Sequence, residues 1–483
     1  MKTSNLGKSE LPSSAKHQTL PKINLFTMFR LGLFQMGLGI LAVLTLGVLN
    51  RVMIDELGIP ASITASLLAI SLFVAPARVW FGQLSDTKPV LGYHRTGYVW
   101  MGSGLFMIIL SLAVQITWQL GNVVEGAGGW TWSIPAYSWV ALGALVFGLY
   151  GLALSMSSTT FFTLLVDISD EDNRGKLIGI IWSMMTVGIA IGGISSKILL
   201  KGLDNIDTSL EVLRSSITGL FVFVPLMVFG LAVLATFGIE KKYSRYSSRS
   251  ILANREDQIT LGQSLKLLTA SPQTGLFFTF LVIMTISLFL QEAVLEPYGG
   301  EVFNMSIPET SLLNSFWGIG MLMSLSATGF FLIPNLGKRK TTQLGCLAVS
   351  ICFILIIMSG FTENSQLFQG TLLLFGFSAG IATTGALSLM LDLTAAEAAG
   401  TFVGAWGLAQ AMARGIAVAS GGVILDVGRA IFSTPVLAYG VVFALQSAGM
   451  IVAIWFLGKV NFQEFQDNAK HAIAAVMEGD LDG

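Results

Sequence analysis

The sequence predicts an all-α polytopic membrane protein. Hydrophobic residues make up 53% of the 483 residues and charged residues only 11%, with a mean hydropathy of +0.73. About 20 apolar residues in a helix cross the roughly 30 Å hydrocarbon core of a bilayer, and within lipid a helix pairs all of its own backbone amides. Twelve long stretches meet this requirement; all lack charged residues except for Arg414 in the eleventh. They are 31–50, 57–77, 96–124, 126–166, 177–196, 215–239, 267–291, 310–337, 341–362, 364–391, 398–425 and 430–458.

The distribution of cations between the stretches predicts the orientation. Most of the 27 Lys and Arg residues fall in alternate loops, together with both tails. Short cytoplasmic loops carry the excess of Lys and Arg in membrane proteins. The loops on the other side hold only Arg51, Lys197, Lys201, Arg214 and Arg429. Both termini are therefore predicted to be cytoplasmic.

The chain also shows the pattern of a duplication. Residues 164–180 align without gaps on residues 389–405, so that Asp167 overlies Asp392. The longest charged interval separates the first six stretches from the second six. The predicted divisions are a polar cytoplasmic tail (1–30), a six-helix half (31–238), a cytoplasmic linker (239–274), a second six-helix half (275–458) and a cytoplasmic tail (459–483). Such repeats place a binding site near the bilayer midplane, between the halves.

The loop after the second stretch carries the first family resemblance. Gly82-Gln-Leu-Ser-Asp86, closed by Gly92-Tyr-His-Arg95, resembles the loop signature of major facilitator proteins, although Thr87 replaces a basic residue and residues 89–91 are extra. The resemblance implies the major facilitator fold, with twelve transmembrane helices in two six-helix halves. It also implies a gating role for this loop. The candidate gating residues are Gly82, Asp86, Arg95 and Arg78; a plain helix cap at Asp86 and an interfacial anchor at Arg78 are the alternatives.

Longer strings narrow the resemblance to one branch. Residues 30–39, 49–54, 56–60, 75–78, 295–300 and 400–407 are similar to the PucC-type branch of the major facilitator superfamily. That branch is linked to delivering bacteriochlorophyll or chlorophyll to light-harvesting apoproteins and to assisting their assembly. The resemblance implies a tetrapyrrole pigment as cargo, light-harvesting or photosystem apoproteins as partners, and residence in a photosynthetic membrane.

Polar residues inside or beside the apolar stretches are the candidate cavity or pigment contacts. An ionisable group in a membrane is costly unless it faces a cavity or a partner. Arg51 can pair with Asp55 one turn later, and Glu292 and Glu296 are expected on one helix face at the outer end of the seventh stretch, with Arg51 as an available partner. The candidates are Arg51, Gln291, Glu292, Glu296, Asn314, Gln410 and Arg414. The alternative for the uncharged residues is an interhelical hydrogen bond. For the two glutamates it is an interfacial helix end, for Arg51 a surface ion pair with Asp55, and for Arg414 a bond to backbone carbonyls.

Arg414 is the one cation deep within a late stretch. Its guanidinium stays charged inside a protein, so the side chain is expected to face the bundle interior and to find an acceptor on another helix. Either a substrate or a second helix can supply that acceptor.

Residues for covalent or metal chemistry are scarce. The three histidines are His17 and His471 in the tails and His94 in a loop, and both cysteines lie in one stretch. A magnesium tetrapyrrole held inside would therefore need Gln, Asn, Glu, backbone or water as its ligand. No catalytic set, protein-bound metal, covalently bound cofactor or nucleic-acid site is predicted, so the chain is not expected to be an enzyme.

Three functions remain open. The first is a membrane protein that handles (bacterio)chlorophyll for the assembly of light-harvesting or photosystem complexes. The second is a secondary transporter of a small solute, and the third is a scaffold that contacts apoproteins and transports nothing. A proton-coupled transporter predicts several acids within the membrane, and the sequence places almost none there away from helix ends.

Overall fold

The computed structural model describes residues 23–169, 171–203, 210–244, 272–393 and 399–461 of the chain. The described residues form sixteen α-helices. These are α1 (Leu25–Ala42), α2 (Ala61–Phe73), α3 (Ala77–Thr87), α4 (Thr96–Gly126), α5 (Ile134–Ile168), α6 (Glu171–Leu199), α7 (Leu210–Thr236), α8 (Ile239–Tyr243), α9 (Pro272–Phe289), α10 (Leu295–Phe303), α11 (Ile307–Ala327), α12 (Ile333–Leu336), α13 (Lys338–Phe361), α14 (Ser365–Leu393), α15 (Ala399–Ile431) and α16 (Pro435–Lys459).

The prediction of twelve spans is confirmed. Twelve helical segments of the described chain are long and apolar enough to cross a membrane, the first being Leu25–Glu56 and the last Pro435–Lys459. α1 continues to Glu56 through π-helical segments at Val43–Leu49 and Val52–Glu56. The chain is therefore an integral membrane protein.

Two spans are broken where the sequence suggested continuous helices. The second span bends between Phe73 and Ala77, where Pro76 lacks the amide that would continue the helix. The seventh span stops at Phe289, passes through a 3₁₀ turn (Leu290–Ala293) and restarts at Leu295. As a result, the expectation that Glu292 and Glu296 share one helix face is wrong: the break turns them toward different neighbours.

The helices of residues 23–244 (the N-terminal helices) pack against those of residues 272–461 (the C-terminal helices) along two seams. In the first seam, α2 meets α15, and a Cβ on Gly422 would lie 2.6 Å from Cβ of Ala65. In the second, α6 meets α11, and a Cβ on Gly193 would lie 2.6 Å from the carbonyl oxygen of Ser311. Small residues permit this close approach of helix backbones.

Glycine pairs at four-residue spacing behave in three ways. Gly188 packs against the backbone of Met36, and Gly376 packs against the backbone of Trp317, as expected of helix seams. Around Gly175 and Gly179 no heavy atom of another described helix lies within 4 Å of an added Cβ, so this pair makes no close helix contact. The corresponding pair at 400 and 404 lies outside the described side chains.

The first seam ends partway along the bundle. Ala61, Ala65 and Ala69 of α2 are buried against the C-terminal helices, and Phe73 at the end of α2 contacts Gly415. Beyond it, Pro76 and Arg78 are exposed. In the second seam, Trp182 lies one turn beyond Thr186, which contacts Gly318, and is 52% exposed. The two sets of helices therefore separate toward one end.

Candidate functional site

The end of the bundle that holds Asp86, Arg95 and Glu240 is called the Asp86 face, and the opposite end, with Arg51, Ser306 and Asp426, is called the Arg51 face. At the Asp86 face, Arg95 is the centre of a buried network. Its Nε donates to Asp167 Oδ2 at 2.8 Å, and its Nη1 donates to Ser85 Oγ at 2.5 Å. Nη2 donates to Asp86. Asp86 and Arg95, both candidate gating residues, therefore form an ion pair.

Glu240, at the start of the predicted linker, caps the third span. Its carboxylate accepts the backbone amides of His94 at 2.8 Å and Thr96 at 2.6 Å, at the start of α4. The first amides of a helix have no partner within the helix, and the helix dipole favours an anion there. The entry to the linker is thereby fixed to the loop that carries Asp86.

At the Arg51 face, Arg51 connects the N-terminal to the C-terminal helices. Nη1 donates to the carbonyl oxygen of Ser306 at 2.7 Å and to Thr310 Oγ1 at 2.5 Å, while Nη2 donates to the carbonyl oxygen of Met305 at 2.6 Å. The expected pair with Asp55 is present at 3.4 Å. The acceptors from the C-terminal helices are thus mainly backbone carbonyls, whereas the sequence suggested Glu292 or Glu296.

Two further bonds close the same face. Asp426 of α15 accepts the amides of Ala61 at 3.1 Å and Ser62 at 2.8 Å, so a residue of the C-terminal helices caps α2. Asn50 donates to the carbonyl oxygen of Ala293 at 2.9 Å. Together with Arg51, these contacts hold the two sets of helices together at this end.

Glu296 lies behind this closure. It is 3% exposed, its Oε1 accepts a bond from Asn314 at 2.6 Å, and its Oε2 has no hydrogen-bond partner among the described residues. Gly47 of the first span is close to both side chains, since an added Cβ would lie 3.2 Å from Oε1. Glu296 and Asn314 therefore form a buried pair against the first span.

Arg414 lies near the middle of α15 and meets Glu292 from the 3₁₀ turn of the seventh span. Nε and Nη2 donate to the two carboxylate oxygens at 2.8 and 2.5 Å, a bidentate pair. The guanidinium stacks over Phe289, 4.7 Å from the ring centre. The side chains remain 28% and 17% exposed, so the pair borders open space. The acceptor on another helix that the sequence required is thus Glu292.

This open space is called the Arg414 cleft. It lies beside Arg414 and Glu292, next to the contact between Phe73 and Gly415. Gln410 is one turn before Arg414 on the same helix and is partly exposed. Arg78, on α3, is exposed.

Gln291 and Gly82 each face another helix of their own half. Gln291 is buried and accepts a bond from Gln446 at 3.2 Å, which is the interhelical bond that the sequence left as the alternative. Gly82 of α3 faces Thr159 of α5, with an added Cβ 4.0 Å from the threonine methyl. Within the described part of the chain, no group of three or more His, Cys, Asp or Glu could hold a metal ion.

Asp167, Glu240 and Asp426 are acidic residues of these networks that the sequence analysis did not name as site candidates. The sequence does mark Asp167, because it is the aspartate shared by the two copies of the internal repeat. Its counterpart Asp392 lies outside the described side chains. Glu240 and Asp426 act as caps for helices that begin 144 or more residues away. No local pattern could have revealed these caps.

Solved structures of other membrane proteins share this fold. Among solved structures, the nucleoside transporter NupG superposes with a TM-score of 0.63 at 14% identity, covering 91% of this chain and 99% of NupG. A bacterial homologue of the iron transporter ferroportin gives a TM-score of 0.64 at 14% identity, covering 92% and 100%. The chain therefore has the major facilitator fold.

Sequence relatives give the family. Protein PucC of Rhodobacter capsulatus is 28% identical over 90% of this chain and 92% of its own length. A protein named bacteriochlorophyll synthase 44.5 kDa chain, also from Rhodobacter capsulatus, is 28% identical over 88% and 93%. The profile of the family described as PUCC protein matches residues 48–465. The chain belongs to the PUCC protein family.

Proposed function

We propose that this protein handles (bacterio)chlorophyll in a photosynthetic membrane, holding the pigment for the assembly of light-harvesting or photosystem complexes. The observation that carries the proposal is the family match over residues 48–465. One relative is named for bacteriochlorophyll, and relatives named PucC come from Rhodobacter capsulatus, Rhodovulum sulfidophilum and Cereibacter sphaeroides.

The Arg414 cleft suits such a cargo. Its described wall combines the rings of Phe73 and Phe289 with the ion pair of Arg414 and Glu292. Binding sites for large organic molecules are mostly apolar with a few placed polar groups. The pigment would be cargo and not a covalently bound cofactor, and the protein would perform no chemistry on it.

We propose that the described conformation of the bundle is open at the Asp86 face and closed at the Arg51 face. We propose that the Asp86 face is cytoplasmic, because cations are concentrated in the loops and tails on that side. Both termini would then be cytoplasmic. Pigment would reach the cleft from the cytoplasmic side or from the bilayer.

Purification in a mild detergent distinguishes the three functions. Pigment that co-elutes with the protein supports the proposal. Light-harvesting apoproteins that co-elute without pigment would show a scaffold instead. If neither co-elutes, the small-solute transporter is favoured and the proposal fails.

A further inference from the structure

Gln410 is a polar side chain within the eleventh of the twelve spans. It is partly exposed, and its amide makes no hydrogen bond with a described residue. A polar group inside a membrane protein is costly when it has no partner. The amide oxygen of Gln410 is therefore available to a ligand.

The helical register of α15 directs Gln410 toward the seventh span. Gly421 follows Gln410 by about three helical turns, so the two share one side of the helix. Gly421 packs against the backbone of Leu290, in the 3₁₀ turn of the seventh span. Arg414, one turn after Gln410, bonds to Glu292 of the same 3₁₀ turn. Gln410 thus lies on the side of α15 that borders the Arg414 cleft.

This side of α15 is packed at one end and open at the other. Gly407 precedes Arg414 by about two turns, and Gly421 follows it by the same interval. Gly421 is in close contact with the seventh span, and the side chain of Arg414 is 28% exposed. No heavy atom of another described helix lies within 4 Å of an added Cβ on Gly407. Because glycine has no side chain, a planar macrocycle has room to lie against the helix here, beside Gln410.

A magnesium tetrapyrrole needs a ligand outside the plane of its four nitrogens, and Mg²⁺ prefers oxygen donors. The other candidates have partners already. Gln291 accepts a bond from a second buried glutamine, and Asn314 donates to a buried glutamate behind the Arg51 face. Both carboxylate oxygens of Glu292 accept bonds from Arg414. Among the described candidates, Gln410 is the one that borders the cleft with a free oxygen.

We infer that the side-chain oxygen of Gln410 ligates the central magnesium of the pigment. The inference rests on the proposed function and deepens it, since it names the group that recognises the metal of the cargo. The amide oxygen donates a lone pair to magnesium and displaces a solvent ligand. The macrocycle then lies against α15 at Gly407.

The test uses the purified full-length protein in mild detergent and two probes that differ only in the metal. These are chlorophyll a and pheophytin a, in which two protons replace the magnesium. By quenching of tryptophan fluorescence, we expect chlorophyll a to bind about tenfold more tightly, which corresponds to about 1.4 kcal/mol. Gln410→Leu removes this preference and leaves the binding of pheophytin a unchanged. The matched control Gln115→Leu removes an exposed glutamine of α4 and leaves the preference intact.

Two further variants report on the metal and on the open helix face. Imidazole is a metal ligand, so Gln410→His keeps the preference and shifts the absorption of bound chlorophyll a, because nitrogen replaces oxygen on the magnesium. Gly407→Leu fills the open space and weakens the binding of both pigments about tenfold.

The outcomes separate this inference from the proposed function. Equal binding of the two pigments by the wild type, a preference that survives Gln410→Leu, or an unshifted absorption in Gln410→His overturns the ligation and leaves pigment handling standing. Unchanged binding in Gly407→Leu overturns the position of the macrocycle. Failure of the wild type to bind either pigment overturns the proposed function itself.

Discussion

Arg51 and Met305 are 254 residues apart, yet Nη2 of the arginine donates to the carbonyl oxygen of Met305 at 2.6 Å. The bond joins the end of the first span to the turn between α10 and α11. Because Arg51 also reaches Ser306 and Thr310, its single side chain ties the N-terminal to the C-terminal helices at the Arg51 face. This contact belongs to one conformational state only, since a bundle open on this face would have to break it.

Removal of Arg51 is expected to loosen this closure. The reporter is Ser315→Cys in a variant that lacks Cys346 and Cys352. Ser315 is 2% exposed and bonds to Ala190 across the second seam, so a maleimide reaches this position only when the seam opens. Arg51→Gln should raise the rate of maleimide labelling about tenfold, equivalent to about 1.4 kcal/mol. Arg214→Gln is the control. An unchanged labelling rate in Arg51→Gln would show that the closure does not depend on this arginine.

The two carboxylates that bind Arg95 should differ in their contribution to stability. The side chain of Asp167 is 7% exposed and that of Asp86 is 46% exposed. Loss of one partner from a buried pair costs about 3–5 kcal/mol, whereas exposed pairs contribute at most about 1 kcal/mol. Asp167→Asn should therefore lower the thermal midpoint in detergent much more than Asp86→Asn. Equal shifts of the midpoint in the two variants would mean that burial does not determine how much each ion pair contributes to stability.

Asp86 is still predicted to act in gating. Asp86→Ala should reduce function more than it reduces the amount of protein in the membrane, because the apolar spans that drive insertion are unchanged. The checks are light-harvesting complex content and the protein level on an immunoblot. A parallel loss of both would identify Asp86 as a folding cap.

The orientation is tested by a reporter inserted at residues 245–255. That segment belongs to the most strongly cationic loop of the sequence, so the reporter should give a cytoplasmic signal. The control is a reporter between α15 and α16, which should report the opposite side. A cytoplasmic signal only from the second position would invert the proposed topology.

Much of the fold is predictable, because the length and apolar composition of each stretch determine whether it spans the membrane. Apolar length alone gives the twelve spans, and the loop motif at Asp86 points to the fold family. The break in the seventh span is not predictable from residues 290–294, which contain neither Pro nor Gly. It is stabilised from elsewhere: Asn50 donates to the carbonyl oxygen of Ala293, and Gly421 allows α15 to approach the backbone of Leu290.

The site is only partly predictable, because the partners of its residues also come from distant parts of the chain. The sequence requires an acceptor for Arg414, because a charged guanidinium within a span needs one. It cannot identify Glu292, which lies 122 residues earlier and is turned toward α15 by the break after Phe289.

In cells, Arg414→Leu should preserve insertion, since it removes a charge that opposes insertion by about 2.5–3.5 kcal/mol. Accumulation of light-harvesting complexes should nevertheless slow, because the ion pair that faces the cleft is lost. Glu292→Gln should have a similar effect. Normal accumulation in both variants would make the pair purely structural.

The central claim is that the Arg414 cleft holds pigment, and the most direct measurement is the pigment-to-protein ratio of the purified chain. Wild type and Arg414→Leu are purified side by side in mild detergent, and tetrapyrrole absorbance is related to protein mass. The account predicts bound pigment in the wild type and a loss of most of it in Arg414→Leu, with Arg214→Gln unchanged. Equal pigment in wild type and Arg414→Leu, or none in the wild type, would contradict it.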